Sequence, residues 1–257
     1  MKPTPSSQLD ASPLLAFGAH PDDIEFACGG VIAKETRAGR RAHFVVCSRG
    51  EAGTHGAPKQ RTSEAKKAAA LLGATIEFVQ LDGDAHLEVR SAHAMKLAVI
   101  LRRVRPGVVL APTLVGNQHP DHFRLGELVR DAVRLARYGG LRELRAWPRH
   151  SVKQLLHYAL SREAEPATIP PVFIDVSEPA TVAAWVAAME AHASQTSALE
   201  YVERQLTRAR CNGFSAGVQY AAALFPSDPL VFGSLMELSG ASSAAGIPAP
   251  IGKRRPS

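Results

Sequence analysis

Cysteine is scarce. Cys28, Cys47 and Cys211 are the three in 257 residues, too widely spaced for a disulfide framework or a C-x-x-C metal pair. A reducing, cytoplasmic compartment is the expectation. No apolar run approaches the roughly 20 residues that span a bilayer, and residues 1–12 lack the apolar core of a secretory signal. No membrane partner is expected. The G-x-G-x-x-G fingerprint of dinucleotide binding is also missing, because Gly18, Gly29 and Gly30 have other spacing. The polar loop Gly50–Gly56 lacks the Gly-Lys-Ser/Thr ending of a phosphate-binding P-loop.

Acidic residues are outnumbered, 24 against 30 Lys and Arg, for a formal net charge of +6. The excess is local. Arg137, Arg142, Arg145, Arg149 and Lys153 fall in one short segment, and Lys253, Arg254 and Arg255 tip the C-terminus. Such runs read as solvated surface, and no nucleic-acid partner is expected. The remaining composition, 46% hydrophobic and 21% charged, is that of a chain able to bury a core.

Strand and helix patterns alternate through the first half. Leu14–Gly18, Ala42–Cys47, Ile76–Leu81 and Val108–Ala111 read as strands. Ile24–Ala38, Thr62–Leu72, Ala92–Arg105 and His119–Arg137 read as the helices between and after them. Asp22 and Glu25 have capping-box spacing. The rhythm predicts an α/β fold: a Rossmann-like open parallel sheet with helices on both faces. Past Gly139 it changes. Ser151–Leu160 and Val172–Val176 read as strands, Ala180–Ala193 and Val202–Cys211 as helices, and Phe214–Ala223 as a further alanine-rich piece. We expect a flexible arm over 1–12 and a single domain over 13–238. Within it, a Rossmann-like core (13–138) precedes a C-terminal strand/helix elaboration (139–238). A flexible basic tail covers 239–257.

Two polar clusters stand at strand ends. Ala19-His20-Pro21-Asp22-Asp23-Ile24-Glu25 follows the first strand, and His119-Pro120-Asp121-His122 follows the fourth. Parallel strands end at one sheet edge, so both clusters open onto the same crevice. A hydrolytic zinc takes three protein ligands and keeps a fourth position open. His20, Asp23 and His122 supply such a His₂Asp set. Zinc there brings the pKa of a water down to about 7, and an adjacent carboxylate off the metal can act as general base. Asp22 is that candidate. Singly, each residue reads as a loop or capping residue; two clusters at two ends of one sheet make that reading weak.

The pair of motifs, Ala19–Glu25 and His119–His122, resembles those of the PIG-L/LmbE-like zinc-dependent N-deacetylases, with likeness over roughly residues 13–235. The resemblance implies one Zn²⁺ per chain on His20, Asp23 and His122, although Fe²⁺ or another divalent ion can occupy similar ligands. It implies Asp22 as base, and a protonated His119 stabilising the tetrahedral intermediate with Asp121 tuning that region. It also implies an N-acetyl amino-sugar substrate and a homo-oligomer, a trimer or hexamer. Gly50–Thr54, Arg61 and Phe173–Ser177 are similar to the N-acetylglucosaminyl-malate deacetylases of bacillithiol biosynthesis, which makes Arg61 a substrate contact. Asn117 stands where mycothiol-pathway relatives have a tyrosine, and Ala222 where relatives commonly have an acidic residue.

Gly50–Gly56 reads as the rim of a lid, with Glu51 or His55 touching substrate. Asp82-Gly83-Asp84 reads as a turn rather than a second metal site. His86 shares that edge with no role assigned, and His43, His93, His150, His157 and His192 read as structural or surface residues. Two alternatives stay open: an amidase of another N-acyl sugar or thiol conjugate, and a non-catalytic sugar- or nucleotide-binding module.

Overall fold

The computed structural model describes residues 12–116, 119–196 and 200–235. The expected arm, save Ser12, the tail over 239–257 and Asn117 lie outside the described residues. The strands are β1 (Leu14–Gly18), β2 (Ala42–Val46), β3 (Ala74–Phe78), β4 (Val108–Pro112), β5 (Gln154–Tyr158), β6 (Val172–Asp175) and β7 (Ala221–Pro226). The helices are α1 (Asp23–Arg37), α2 (Pro58–Leu71), α3 (Ser91–Val104), α4 (Pro120–Leu135), α5 (Pro179–Glu190), α6 (Ala193–Thr196) and α7 (Tyr201–Ala216).

The strands form one sheet in the order β3-β2-β1-β4-β5-β7-β6. From β3 to β5 all neighbours are parallel. Strand β7 runs antiparallel to both β5 and β6. This is the expected α/β architecture with its elaboration, and the sheet is mostly rather than wholly parallel. The connections leave β1 in one direction through α1 and return on its other side through α3. The order therefore reverses between β1 and β4, and a crevice opens at such a point.

Sidedness follows from the strand period of two. In β1, Leu14 and Ala16 face a core shared with α1, α5 and α7, while Leu15 and Phe17 face one shared with α3 and α4. Burial on both faces is why β1, β2 and β4 read as near-continuous apolar runs. Tyr158, fully buried, donates its hydroxyl hydrogen to the Phe17 carbonyl at 2.6 Å and ties β5 to β1.

Two expectations are corrected. The alanine-rich stretch Phe214–Ala223 is divided: α7 stops at Gly217, whose φ is +73°, and Ala221–Pro226 is strand β7. Small side chains let α7 lie close there, and a Cβ on Gly213 would stand 2.7 Å from the Gln219 carbonyl. Ala222 lies in this strand opposite Ile174 and is buried. The capping box also does not form. Asp22 makes no side-chain cap to α1, and Glu25 is buried with its Oε1 3.4 Å from His192 Nε2.

Helix α1 meets α5 through Gly29 and Gly30, which accommodate Trp185; its indole N–H donates to the Glu25 carbonyl at 2.7 Å. A Cβ on Gly29 would fall 2.6 Å from Trp185 Cδ1. Gly29→Ala is expected to lower stability by about 1–3 kcal/mol through overpacking, read as a lower urea midpoint. An unchanged midpoint would contradict this packing.

Candidate metal centre

Strand β1 ends at Gly18 and passes through His20 into α1. Strand β4 ends at Pro112, and its loop enters α4 at His119, which caps the helix. The two turns meet. Asp23 Oδ2 accepts the backbone N–H groups of Ala19 (2.8 Å) and His20 (3.0 Å), which fixes its rotamer. Its Oδ1 lies 3.1 Å from His122 Nε2, and His122 Nε2 lies 3.2 Å from His20 Nδ1. Ligand atoms about 2.0–2.1 Å from a tetrahedral ion stand roughly 3.3 Å apart, so this trio has the spacing of a metal face.

His20 also faces a second group. Its Nε2 is 3.0 Å from Asp84 Oδ1 and 3.5 Å from Asp121 Oδ2, and His119 Nε2 lies 3.6 Å from Asp84 Oδ1. Two sets with ligand-type atoms close together therefore share His20: His20, Asp23 and His122, and His20, Asp84, His119 and Asp121. Among the described residues the buried His122 Nδ1 has no hydrogen-bond partner, and Asp121 Oδ1 has only a long contact to Arg124 Nη1, at 3.5 Å. Carboxylates and imidazoles packed this way, with an orphaned polar atom, fit a divalent cation. In the second set, carboxylates beside the far nitrogen of a ligand histidine are the usual means of orienting it.

The electrostatics match. Burial disfavours the His20 cation, but Asp23, Asp121 and Asp84 outweigh it and hold the imidazole well above its ordinary pKa. Burial also works against the Asp23 carboxylate, yet His122 and His20 hold it well below the usual range. Burial and the neighbouring Asp23 push Asp22 up to about 6, against the pull of Arg61.

Asp22 belongs to neither ligand set. It sits at φ 127°, a conformation that costs a non-glycine residue about 1–3 kcal/mol. Its carboxylate is gripped by Arg61, whose Nη2 donates to Asp22 Oδ2 at 3.2 Å and to the Pro21 carbonyl at 3.1 Å. Arg61 Nη1 donates to the Gly50 carbonyl at 3.3 Å. The loop needs glycine to pass this guanidinium: a Cβ on Gly50, already at φ +72°, would lie 2.2 Å from Arg61 Nη1.

A cavity of about 390 Å³ opens over the cluster. His20, Asp22, Asp23, His119, His122 and Arg61 line it, with Asp84. Phe26, Leu160, Tyr201 and Gln205 add a wall from α1 and the C-terminal half. Asp121 stands behind, its Oδ2 accepting the Ala85 N–H at 2.7 Å. His119 Nδ1 accepts the Asp121 N–H at 3.3 Å, which leaves the ring proton of a neutral imidazole on Nε2. Burial and His20 also hold its pKa below the ordinary value.

Glu51 is not among the lining residues. Its carboxylate accepts the backbone N–H groups of Arg49 (3.0 Å) and Asp84 (3.3 Å) and the amide of Gln80 (3.0 Å), bracing the loop. Asp84, a turn residue by its sequence, faces the cluster. Its position after β3, at the edge shared with both motifs, is the signal that marks it.

The fold and the site define an α/β protein with a candidate His/Asp metal centre at the reversal point of its sheet. Residues 15–133 match the family model PIG-L, GlcNAc-PI de-N-acetylase, and the chain belongs to the PIG-L family. It is similar to the conserved protein TT1542 from Thermus thermophilus, at 32% identity and a TM-score of 0.76, covering 86% of this chain and 97% of that one. It is 31% identical over 136 residues to a diacetylchitobiose deacetylase of Thermococcus kodakarensis, 49% of this chain and 51% of that protein. It is 32% identical over 138 residues to a 4-oxalmesaconate hydratase of Pseudomonas putida, 49% of this chain and 53% of that one. The chain thus spans about half the length of these curated relatives. No helix among the described residues is long and apolar enough to cross a membrane.

Proposed function

We propose that the chain is a zinc-dependent N-deacetylase that hydrolyses the acetamide of an N-acetylglucosamine-type sugar. The observation that carries this reading is the convergence of His20, Asp23 and His122, with Asp22 beside them and outside the set. His20, Asp23 and His122 would hold the ion. A divalent cation there supplies Lewis acidity for the amide carbonyl and eases the ionisation of water.

The chain's own groups supply the rest. Asp22, held by Arg61 with a carboxyl pKa of about 6, takes a proton from water and returns it to the departing amine. A carboxyl in that range suits both duties near neutral pH. His119, with Nε2–H over the cavity, donates to the oxygen that gains charge when the carbonyl is attacked. Asp121 and Asp84 orient His20 and His119. Arg61 acts through Asp22, and the wall of Phe26, Leu160 and Tyr201 receives the rest of the sugar.

The resemblance of Gly50–Thr54, Arg61 and Phe173–Ser177 favours N-acetylglucosaminyl-malate as the substrate. The likeness to a diacetylchitobiose deacetylase favours a neutral disaccharide as the second reading. Acetate release from both, measured with the zinc-loaded full chain, is the test. Release from the malate conjugate at a severalfold higher kcat/KM supports the first reading, and the reverse order the second. No acetate from any N-acetylated glucosaminide would overturn deacetylation and turn attention to hydration.

A further inference from the structure

One wall of the cavity over the metal centre takes no part in proton transfer or metal binding. Tyr201 and Gln205 line it from the start of α7, with Leu160 just beyond the end of β5. The two α7 residues are four apart in sequence, so they are neighbours on a single helix face. Both are half-buried. The Tyr201 ring packs against Phe26, another lining residue, with centroids 5.4 Å apart.

The polar atoms of this wall have a definite sense. Gln205 Nε2 donates to the Leu160 carbonyl at 2.9 Å. A carbonyl only accepts, so this bond fixes which way round the amide sits and leaves Oε1 as its open end. That oxygen accepts nothing among the described residues and is not closed off from solvent. The Tyr201 hydroxyl likewise has no partner among the described residues and is not closed off. Arg61 is different. It is the one arginine or lysine lining the cavity, and it is spent on Asp22 and two backbone carbonyls. What this wall offers a substrate is therefore uncharged: an amide acceptor, a hydroxyl and the flank of an aromatic pair.

We infer that Tyr201 and Gln205 determine specificity for the sugar, Gln205 Oε1 accepting the hydrogen of one ring hydroxyl and the Tyr201 hydroxyl pairing with another. The inference rests on the reading of this site as an N-acetylglucosamine-type deacetylase. A sugar ring carries hydroxyl donors on an otherwise apolar frame, which matches an acceptor and a hydroxyl set beside aromatic rings. A site that hydrogen-bonds a substrate hydroxyl discriminates against the analogue lacking it. These contacts lie away from the reacting amide, so they are equal in the bound substrate and in the transition state. Their loss raises KM and leaves kcat unchanged.

The test is steady-state acetate release by the zinc-loaded full chain, using the better of the two N-acetylglucosaminides and its 3-, 4- and 6-deoxy analogues. Gln205→Met and Tyr201→Phe keep the shape of the wall and remove its polar atoms. Each is expected to raise KM about tenfold, the worth of one good polar contact, with kcat unchanged. For each residue, one deoxy analogue should cost the wild type about tenfold in kcat/KM and cost the variant nothing further, the coupling of a double-mutant cycle. A merely structural role would leave every analogue's penalty the same in variant and wild type. The penalty is a ratio within one preparation, so a less stable variant does not disguise it. With acetate still released, a variant of wild-type KM, or penalties that add for every analogue, overturns the assignment of that residue. No acetate from the wild type with any N-acetylglucosaminide is a different result, and it overturns the deacetylase reading together with the inference.

Discussion

Asp22→Asn is expected to retain its metal and to lower kcat by about 10²–10⁴-fold, the usual contribution of a positioned general base. Asparagine keeps the size of the side chain and an oxygen for Arg61 to grip, so the loop and the trio should be undisturbed. What it loses is the ability to take a proton from water. Two readouts are needed together: metal content by elemental analysis and turnover by acetate release. Loss of metal would place Asp22 among the ligands. Full metal with near-native turnover would remove it from proton transfer.

Asp23→Ala is expected to do the opposite: to abolish stoichiometric metal binding and to weaken the fold even without metal. The Asp23 carboxylate satisfies two buried backbone N–H groups, of Ala19 and His20, and faces His122. Alanine leaves those donors orphaned at the junction of β1 and α1. Each unmatched buried donor costs about 1–3 kcal/mol, so metal-free Asp23→Ala should be destabilised by roughly 2–6 kcal/mol. Urea unfolding of metal-free wild type and variant measures this directly. A variant that still binds one metal per chain, or whose metal-free stability is unchanged, contradicts the assignment of Asp23 as both ligand and brace.

How much can be seen in the sequence depends on how local the physics is. His20, Asp23, His119 and His122 stand where apolar strands stop, and the parallel arrangement alone brings both strand ends together. Asp84 is harder. Asp82-Gly83-Asp84 has the composition of a turn and is one, with Gly83 at φ +94°, so turn chemistry accounts for a residue that also faces His20. Glu25 and His192 are far apart in sequence and meet only because α5 delivers His192 beneath α1. Glu51 misleads in the other direction. A carboxylate in a glycine-rich loop reads as a substrate contact, but the loop's own N–H groups need an acceptor and take it. Strand β7 is obscured by propensity, since Ala221-Ala222-Ala223 favours helix. Pairing with β5 and β6 on both sides overrides that preference.

The central claim is that amide hydrolysis depends on a divalent ion held by His20, Asp23 and His122. Titrating the metal-free full chain with zinc while following acetate release from an N-acetylglucosaminide tests it most directly. Activity should be negligible without metal, rise in proportion to zinc, and level off at about one ion per chain. Undiminished acetate release from the metal-free protein, or none at any level of bound zinc, would contradict it.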